Sequence, residues 1–270
     1  MVKSMKRLTP ILLLAVILLL SFTSVVFAQT YLFQVDSQDV VVSITDQGTM
    51  DVDITYVFTN SASASPIDYV DIGLPNNSFS LGDVDASVNG QAIYDISYAD
   101  SQYVKTGYGI TLGLGSNAIL PGQSGTVVVS IDGISSILYP ADNSEIPDYA
   151  SFQFSPNWFG YEYVQGTTDL TMTIVLPPSV GVDEPRYFLP EGGWPGGTTP
   201  SSGHTTSGQI YYQWQSSAAN SYTQYIFGAA FPKSYVPESA IVTTPPITWG
   251  TSMIDTGENP RSAAVYSTYL

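Results

Sequence analysis

Apolar and polar residues alternate at every second position over most of the chain after residue 29, and a period of two predicts β-strands. The longest such run covers residues 50–58, where apolar side chains alternate with Asp51, Asp53 and Thr55. Shorter runs predict further strands at 40–44, 67–74, 84–88, 94–98, 108–114, 127–131, 170–176, 210–215 and 222–231. Almost no segment repeats at 3.6 residues, so the pattern favours an all-β fold.

Turn signals separate these runs. Asn89-Gly90 stands between two alternating runs and predicts a two-residue hairpin, because both of its positions need a positive φ angle. The run that follows the hairpin places Tyr94 and Tyr98 on its apolar phase. Residues 191–208 are rich in Gly, Pro, Ser and Thr, which predicts a long loop.

The spacing of the strands predicts the domain organisation. Many short strands with turns between them are typical of an immunoglobulin-like sandwich. Pro140 and Pro147 interrupt the pattern and indicate a boundary. We expect two tandem antiparallel β-sandwich modules after a signal peptide. The expected segments are a signal peptide at 1–28, a first sandwich at 29–136, a linker at 137–145, a second sandwich at 146–237 and a flexible Thr/Pro/Ser-rich tail at 238–270.

The first 28 residues have the order of a secretory signal peptide. Lys3, Lys6 and Arg7 precede an uninterrupted apolar run at 11–20, and Val26-Phe27-Ala28 offers small residues for cleavage. The alternative is an uncleaved membrane anchor, for which the apolar stretch just suffices in length. Either interpretation places the rest of the chain outside the cytoplasm.

Charge narrows the range of partners. All 23 acidic residues lie after Ala28, and the cations that remain there are Lys105, Arg186, Lys233 and Arg261. Nucleic acid and anionic lipid need clustered Lys and Arg, so neither is an expected ligand. Any membrane contact would come from an uncleaved signal segment. The chain has no cysteine, which excludes disulfides and thiol chemistry.

No catalytic motif is found. His204 is the only histidine and lies in a Gly/Thr/Ser-rich segment, whereas a catalytic triad needs a fixed imidazole. A pair of carboxylates is the one hydrolytic device left, for example Glu162 with Asp169 or Glu184. Acidic residues that alternate with apolar ones are usually the solvated face of a strand, so we expect no enzyme activity.

Calcium is the one cofactor that the sequence supports. Asp142, Asn143 and Glu145 lie close together, with Asp148 just beyond, and calcium prefers several oxygen ligands. An ordinary Asx turn explains the same residues and is the favoured interpretation of this loop.

Aromatic residues suggest a binding surface. Trp194 lies between glycines and a proline and is the best candidate for an exposed ring, with Trp158 and Tyr161 as further candidates. Trp214 lies on the apolar phase of its strand and is expected in the core.

Two segments carry a resemblance to a known group. The first is the run 51–60 followed by 67–76, which ends in Gly73-Leu74-Pro75-Asn76. The second is Phe154-Ser155-Pro156-Asn157-Trp158-Phe159-Gly160, which leads into 168–171 and Leu176-Pro177-Pro178. They resemble the exported N-terminal β regions of uncharacterised bacterial membrane proteins similar to the DUF2207 group. The resemblance implies export and a β fold, and it assigns no site.

These features predict a non-enzymatic surface or secreted protein with a structural or protein-binding, adhesion-like role. Its contacts would come from loops and exposed sheet edges. A carbohydrate-binding module that uses loop aromatics is the first alternative, and a carboxylate-dependent glycoside hydrolase is the second. The expected partner is a protein or a glycan at the cell exterior.

Overall fold

A computed structural model describes residues 30–99, 107–141, 143 and 145–243. The predicted signal peptide and most of the predicted tail lie outside these ranges. The described residues from Tyr31 onward group into one compact unit. Within the described ranges, no helix is both long and apolar enough to span a bilayer.

The regular secondary structure of the described residues is almost entirely β-strand, and the rest of these residues lie in turns, irregular segments and short 3₁₀ helices. In chain order the strands are β1 (Phe33–Ile44), β2 (Met50–Asn60), β3 (Tyr69–Gly73), β4 (Val84–Val88), β5 (Gln91–Ile93), β6 (Asp95–Tyr98), β7 (Gly109–Gly113), β8 (Ser124–Ile134), β9 (Tyr139–Pro140), β10 (Tyr149–Phe154), β11 (Thr168–Val175), β12 (Arg186–Tyr187), β13 (Ser201–His204), β14 (Ile210–Ala219) and β15 (Phe227–Pro232). Short 3₁₀ helices lie at Leu81–Asp83, Gly115–Asn117, Lys233–Tyr235 and Glu238–Ala240. The all-β prediction is confirmed.

The strands form three sheets. The largest has the spatial order β13-β14-β11-β1-β2-β8-β4-β5, a second has the order β12-β15-β10-β9, and a third has the order β3-β7-β6. Neighbours in the largest sheet are antiparallel except β1 and β11, which run parallel with Ser37 opposite Asp169.

The alternation in the sequence becomes alternation in burial. In β2, Val52 and Ile54 are buried while Asp53 between them is exposed. One continuous core draws on all three sheets, with Val42 from β1, Ile72 from β3 and Phe152 from β10 among its members. Each such side chain stabilises the fold by about 1.5–3 kcal/mol relative to its exposed state.

The predicted hairpin is confirmed at Asn89-Gly90. Asn89 has a φ of 50° and Gly90 a φ of 78°, and Val88 pairs with Gln91 across the turn. Two positive φ angles in a two-residue loop define the type I′ turn that matches the twist of the flanking strands.

The tandem immunoglobulin-like organisation is not confirmed. β1, from the first expected module, pairs with β11, from the second, so both segments contribute strands to one sheet. The expected linker at 137–145 contains β9, which pairs with β10. Parallel pairing needs no local turn, and the sequence therefore carries no signal for it.

Two boundaries also differ from expectation. The predicted loop at 191–208 contains β13, whose Ser-Ser-Gly-His residues pair with β14 without any apolar alternation. The strand predicted at 222–231 begins only at Phe227. In both places the bounds of the strand follow from backbone pairing, which side-chain patterns do not encode.

Candidate functional site

Trp194 is buried, in contrast to the expected exposed ring. Only 9% of its surface is exposed. The ring packs edge-on against Tyr225 and Phe227, with centroid distances of 5.3 and 5.0 Å. Its Nε1–H donates to the carbonyl of Gly197 at 3.1 Å. The loop therefore folds back so that the indole joins the core and its one polar atom is satisfied within the loop.

The other aromatic candidates divide between core and surface. Trp214 is 1% exposed, which confirms the prediction that it lies in the core. Trp158 is half-buried. Tyr161 is 80% exposed and lies in the turn that the Tyr163 N–H closes on the Gly160 carbonyl at 2.9 Å. Of the three predicted binding residues, Tyr161 alone presents most of its ring to solvent.

Tyr161 lies two residues before Tyr163, which belongs to a group of partly exposed tyrosines. Tyr31 meets Tyr69 edge-on at 5.5 Å and Tyr163 edge-on at 6.4 Å. Tyr69 is 40% exposed and Tyr163 43% exposed. We call Tyr31, Tyr69, Tyr161 and Tyr163 the tyrosine surface. It joins three segments that are far apart in the sequence.

A carboxylate fixes the centre of the tyrosine surface. The Tyr31 hydroxyl donates to Asp68 Oδ1 at 2.7 Å. Partial burial, and then the hydrogen bond to Asp68, raise the pKa of Tyr31 well above its ordinary value. Tyr31 therefore stays neutral at any physiological pH, and its ring is held between its two neighbours.

Backbone contacts hold the three segments of the tyrosine surface together. The Phe33 N–H donates to the Tyr163 carbonyl at 2.8 Å, and the Gln165 N–H donates to the Phe33 carbonyl at 3.0 Å. A buried asparagine, Asn157, accepts from the Gly73 N–H at 2.9 Å and donates to the Asp71 carbonyl at 3.0 Å. The third sheet and the segment before Tyr161 are thus fixed to one another.

A second surface carries negative charge. Asp51 and Asp53 on β2, Asp132 on β8, and Asp83 and Asp85 at the start of β4 lie near one another, and we call them the acidic patch. Partial burial, followed by repulsion from the other four carboxylates, raises the pKa of Asp132. Asp53 accepts from the Ser130 hydroxyl at 2.6 Å, and Asp51 accepts from the Gly133 N–H at 2.8 Å. No group of His, Cys, Asp and Glu among the described residues is arranged to hold a metal ion.

The predicted calcium segment is described only in part. Asp142 lies outside the described residues. Asn143 Oδ1 accepts from the Glu145 N–H at 2.8 Å, which is an Asx turn. The Asp148 carbonyl accepts from the Lys233 N–H at 2.8 Å. The local geometry matches the turn alternative, and calcium binding stays a prediction.

Two of the residues considered for catalysis, His204 and Glu184, make no hydrogen bond to one another among the described residues. His204 is exposed at the end of β13, and no side-chain hydrogen bond to it is seen within the described ranges. Glu184 accepts from the Tyr235 hydroxyl at 2.5 Å and from the Gly181 N–H at 2.8 Å. The hydrogen bond from Tyr235 lowers the pKa of Glu184, and the same bond raises the pKa of Tyr235. Glu184 is thus engaged in a local structural contact.

Comparison with known proteins gives no family. No family model matches the sequence, and no curated protein matches it. Among solved structures, an M1 zinc metallopeptidase from Deinococcus radiodurans is 11% identical with a TM-score of 0.41, covering 74% of this chain and 42% of that one. Legionella pneumophila aminopeptidase A is 12% identical with a TM-score of 0.41, covering 75% and 22%. Leukotriene A4 hydrolase from Saccharomyces cerevisiae is 10% identical with a TM-score of 0.40, covering 78% and 31%. The chain spans less than half the length of these structures, and a likeness at this level assigns neither a family nor an activity.

Proposed function

We propose that this chain is a non-enzymatic protein of the cell exterior that binds a protein partner through the tyrosine surface. The observation that supports it is the exposure of Tyr69 and Tyr163, whose rings both meet the anchored ring of Tyr31, with the exposed Tyr161 two residues before Tyr163. Tyrosine is enriched at protein interfaces because it contributes a large apolar area and a polar tip at a low entropic cost. The division into two immunoglobulin-like modules stays a prediction, and this proposal does not depend on it.

The test removes exposed rings and measures attachment. The purified chain is added to the cells that produce it, and the bound fraction is compared with that of a Tyr69→Ala/Tyr163→Ala variant. We expect the variant to bind at least about tenfold more weakly, because central aromatic residues carry most of the energy of an interface. Val182→Ala is the matched control, since Val182 is a 65% exposed apolar residue outside the tyrosine surface.

A glycan partner is the second candidate, and the exposure of Tyr161 favours it. A ring that is 80% exposed can stack on a sugar without any rearrangement. Protease treatment of the cells should abolish binding if the partner is a protein, whereas periodate oxidation should abolish binding if it is a glycan. Unchanged attachment of the double-alanine variant would overturn the protein proposal, and unchanged attachment of a Tyr161→Ala variant would overturn the glycan candidate.

A further inference from the structure

One short stretch of chain forms the outer edge of two different sheets. β5 is the last strand of the largest sheet, β6 is the last strand of the three-stranded sheet, and only Tyr94 lies between them. We call residues 91–98 the corner strand. The chain bends at Tyr94 and passes from one sheet into the other, as strands do at sheet corners.

The register of β5 shows which of its backbone groups face outward. Antiparallel neighbours alternate between pairs that exchange both hydrogen bonds and pairs that exchange none. A two-residue turn makes Val88 and Gln91 a bonded pair, so Ala92, opposite Ser87, belongs to a pair without hydrogen bonds. The N–H and C=O of Ala92 therefore point away from β4.

The same reasoning applies to β6. The Ala99 N–H donates to the Gly109 carbonyl at 2.9 Å, which makes these two residues a bonded pair. Two residues earlier, Ser97 and Thr111 also form a hydrogen-bonded pair. Tyr98 and Ile96 therefore belong to the alternate pairs, which exchange no hydrogen bonds. The N–H and C=O groups of Ile96 and Tyr98 therefore point away from β7.

Ala92, Ile96 and Tyr98 thus present backbone donors and acceptors on one open side of the corner strand. Within the described residues, no hydrogen bond reaches these groups. Lysine and proline are two of the devices that protect natural edge strands, and the corner strand contains neither, although its two strands are short. Its Tyr94 is 91% exposed and its Tyr98 44% exposed. A strand edge of this kind is a template for another extended segment.

Charge decides which segment fits. β5 pairs with β4, whose exposed Asp85 belongs to the acidic patch, and the corner strand adds the exposed carboxylate of Asp95. A second copy of this chain, with a net charge of −16, would bring like charges together across the new strand pair. A segment with Lys or Arg at alternate positions would place opposite charges there.

We propose that the corner strand binds an extended, Lys- or Arg-rich segment of a protein partner by β-strand addition. The inference rests on the proposed function, because it gives the protein partner a second, chemically defined contact. Backbone hydrogen bonds at Ala92, Ile96 and Tyr98 supply affinity, and Asp95 with the neighbouring acidic patch selects the sign of charge.

The test uses a synthetic peptide of alternating Thr and Lys as the probe and the full chain as the receptor. Hydrogen exchange followed by mass spectrometry should slow in residues 91–98 when the peptide is added. The same peptide with an N-methyl group on every second residue keeps its charge but loses the donors on one edge. We expect it to bind about tenfold more weakly, and a Thr/Glu peptide should not bind.

Matched variants separate the backbone contribution from that of charge. Ala92→Pro removes one outward N–H, whereas Ala92→Val keeps it. We therefore expect the proline variant to bind the Thr/Lys peptide about tenfold more weakly and the valine variant to bind it normally. Asp95→Asn should weaken binding of the Thr/Lys peptide about threefold and reduce the salt dependence of that binding. Asp46→Asn is the matched control: it removes one charge from the exposed β1–β2 turn and should leave binding unchanged.

Three results would overturn the inference. The first is equal binding of the Thr/Lys peptide and its N-methylated form, which would mean attraction by charge alone. The second is slow hydrogen exchange at residues 91–98 in the absence of peptide, together with sedimentation of the chain as a dimer. This result would mean that a second copy of the chain occupies the edge. The third is unchanged binding by Ala92→Pro. If one of these results is found but the Tyr69/Tyr163 variant still loses cell attachment, the proposed function stands and only strand addition is overturned. If the Thr/Lys peptide binds as expected but the Tyr69/Tyr163 variant attaches normally, only the tyrosine surface is overturned.

Discussion

The Trp194 loop and the turn that carries Tyr161 both hold an aromatic ring on an irregular segment between strands, and they place it in opposite environments. Trp194 is 9% exposed and Tyr161 is 80% exposed. The Trp194 loop begins at Glu191, which is bridged to Ile226 near Tyr225 and Phe227, so the ring meets two buried aromatics at once. The turn at Tyr161 closes on its own backbone and leaves its ring outside.

The difference teaches that the place where the backbone is tethered, relative to the ring, matters for the environment of a loop aromatic. Gly192, next to Glu191, has a φ of 75°, and a Cβ atom there would lie 1.9 Å from the Gln224 carbonyl oxygen. The loop therefore lies directly against the chain leading into β15. This close contact places the Trp194 ring in the core. The turn at Tyr161 is tethered on either side of Tyr161, by the Phe159 N–H to the Ser221 carbonyl and by the Tyr163 carbonyl to the Phe33 N–H, and the Tyr161 ring itself stays exposed.

The largest expected effect comes from removing the buried ring. Trp194→Ala should lower the free energy of unfolding by about 3–5 kcal/mol, because it leaves a cavity beside Tyr225 and Phe227. Urea denaturation followed by circular dichroism measures this. Trp194→Phe is the control: it keeps an aromatic ring and loses the hydrogen bond to Gly197, for an expected cost of about 1 kcal/mol. Equal stability of Trp194→Ala and the parent would show that the loop is not tethered.

The next effect tests the tether itself. Gly192→Ala should cost about 1–3 kcal/mol, because alanine is strained at a positive φ and its Cβ would overlap the Gln224 carbonyl. Gly193 is the matched control, since its φ is 73° and open space surrounds its Cβ direction. Thermal unfolding of both alanine variants gives the comparison. If Gly193→Ala were as destabilising as Gly192→Ala, the close approach to Gln224 would have no energetic role.

The smallest effect is expected at the exposed ring. Tyr161→Ala should change the free energy of unfolding by no more than about 0.5 kcal/mol, because the side chain is 80% exposed and makes no ring contact in the described structure. The same urea experiment measures it. A loss above about 2 kcal/mol would mean that Tyr161 packs against part of the chain, and the contrast with Trp194 would then disappear.

Local patterns were sufficient for most of the strands. The alternation at residues 50–58 became β2, and Asn89-Gly90 became a type I′ turn, because both depend on neighbouring residues alone. Tyr94 marks the limit of this reasoning. It occupies the apolar phase of its run but is 91% exposed, because the chain bends there between two sheets and the phase no longer defines an inward side.

The candidate surface was harder to predict, because its members meet only in the folded chain. Tyr31 and Asp68 are 37 positions apart and are joined by a hydrogen bond that no spacing rule anticipates. One signal was present for Tyr69, which lies on the opposite phase from Val70 and Ile72 in β3, and a large aromatic on the polar phase of a strand indicates a contact surface. Trp194 was misjudged because composition alone suggested an open loop.

The parallel pairing of β1 with β11 has a consequence for how the chain is made. The Gln34 side chain donates to the Thr167 carbonyl, 133 positions later, and β1 gains its second neighbour only when that region exists. At an elongation rate of about 5–20 residues per second, that side of β1 lacks its partner strand for roughly 7–27 seconds. Polypeptides released before Thr168 should therefore aggregate, and we expect the nascent protein to need a holding chaperone until β11 emerges.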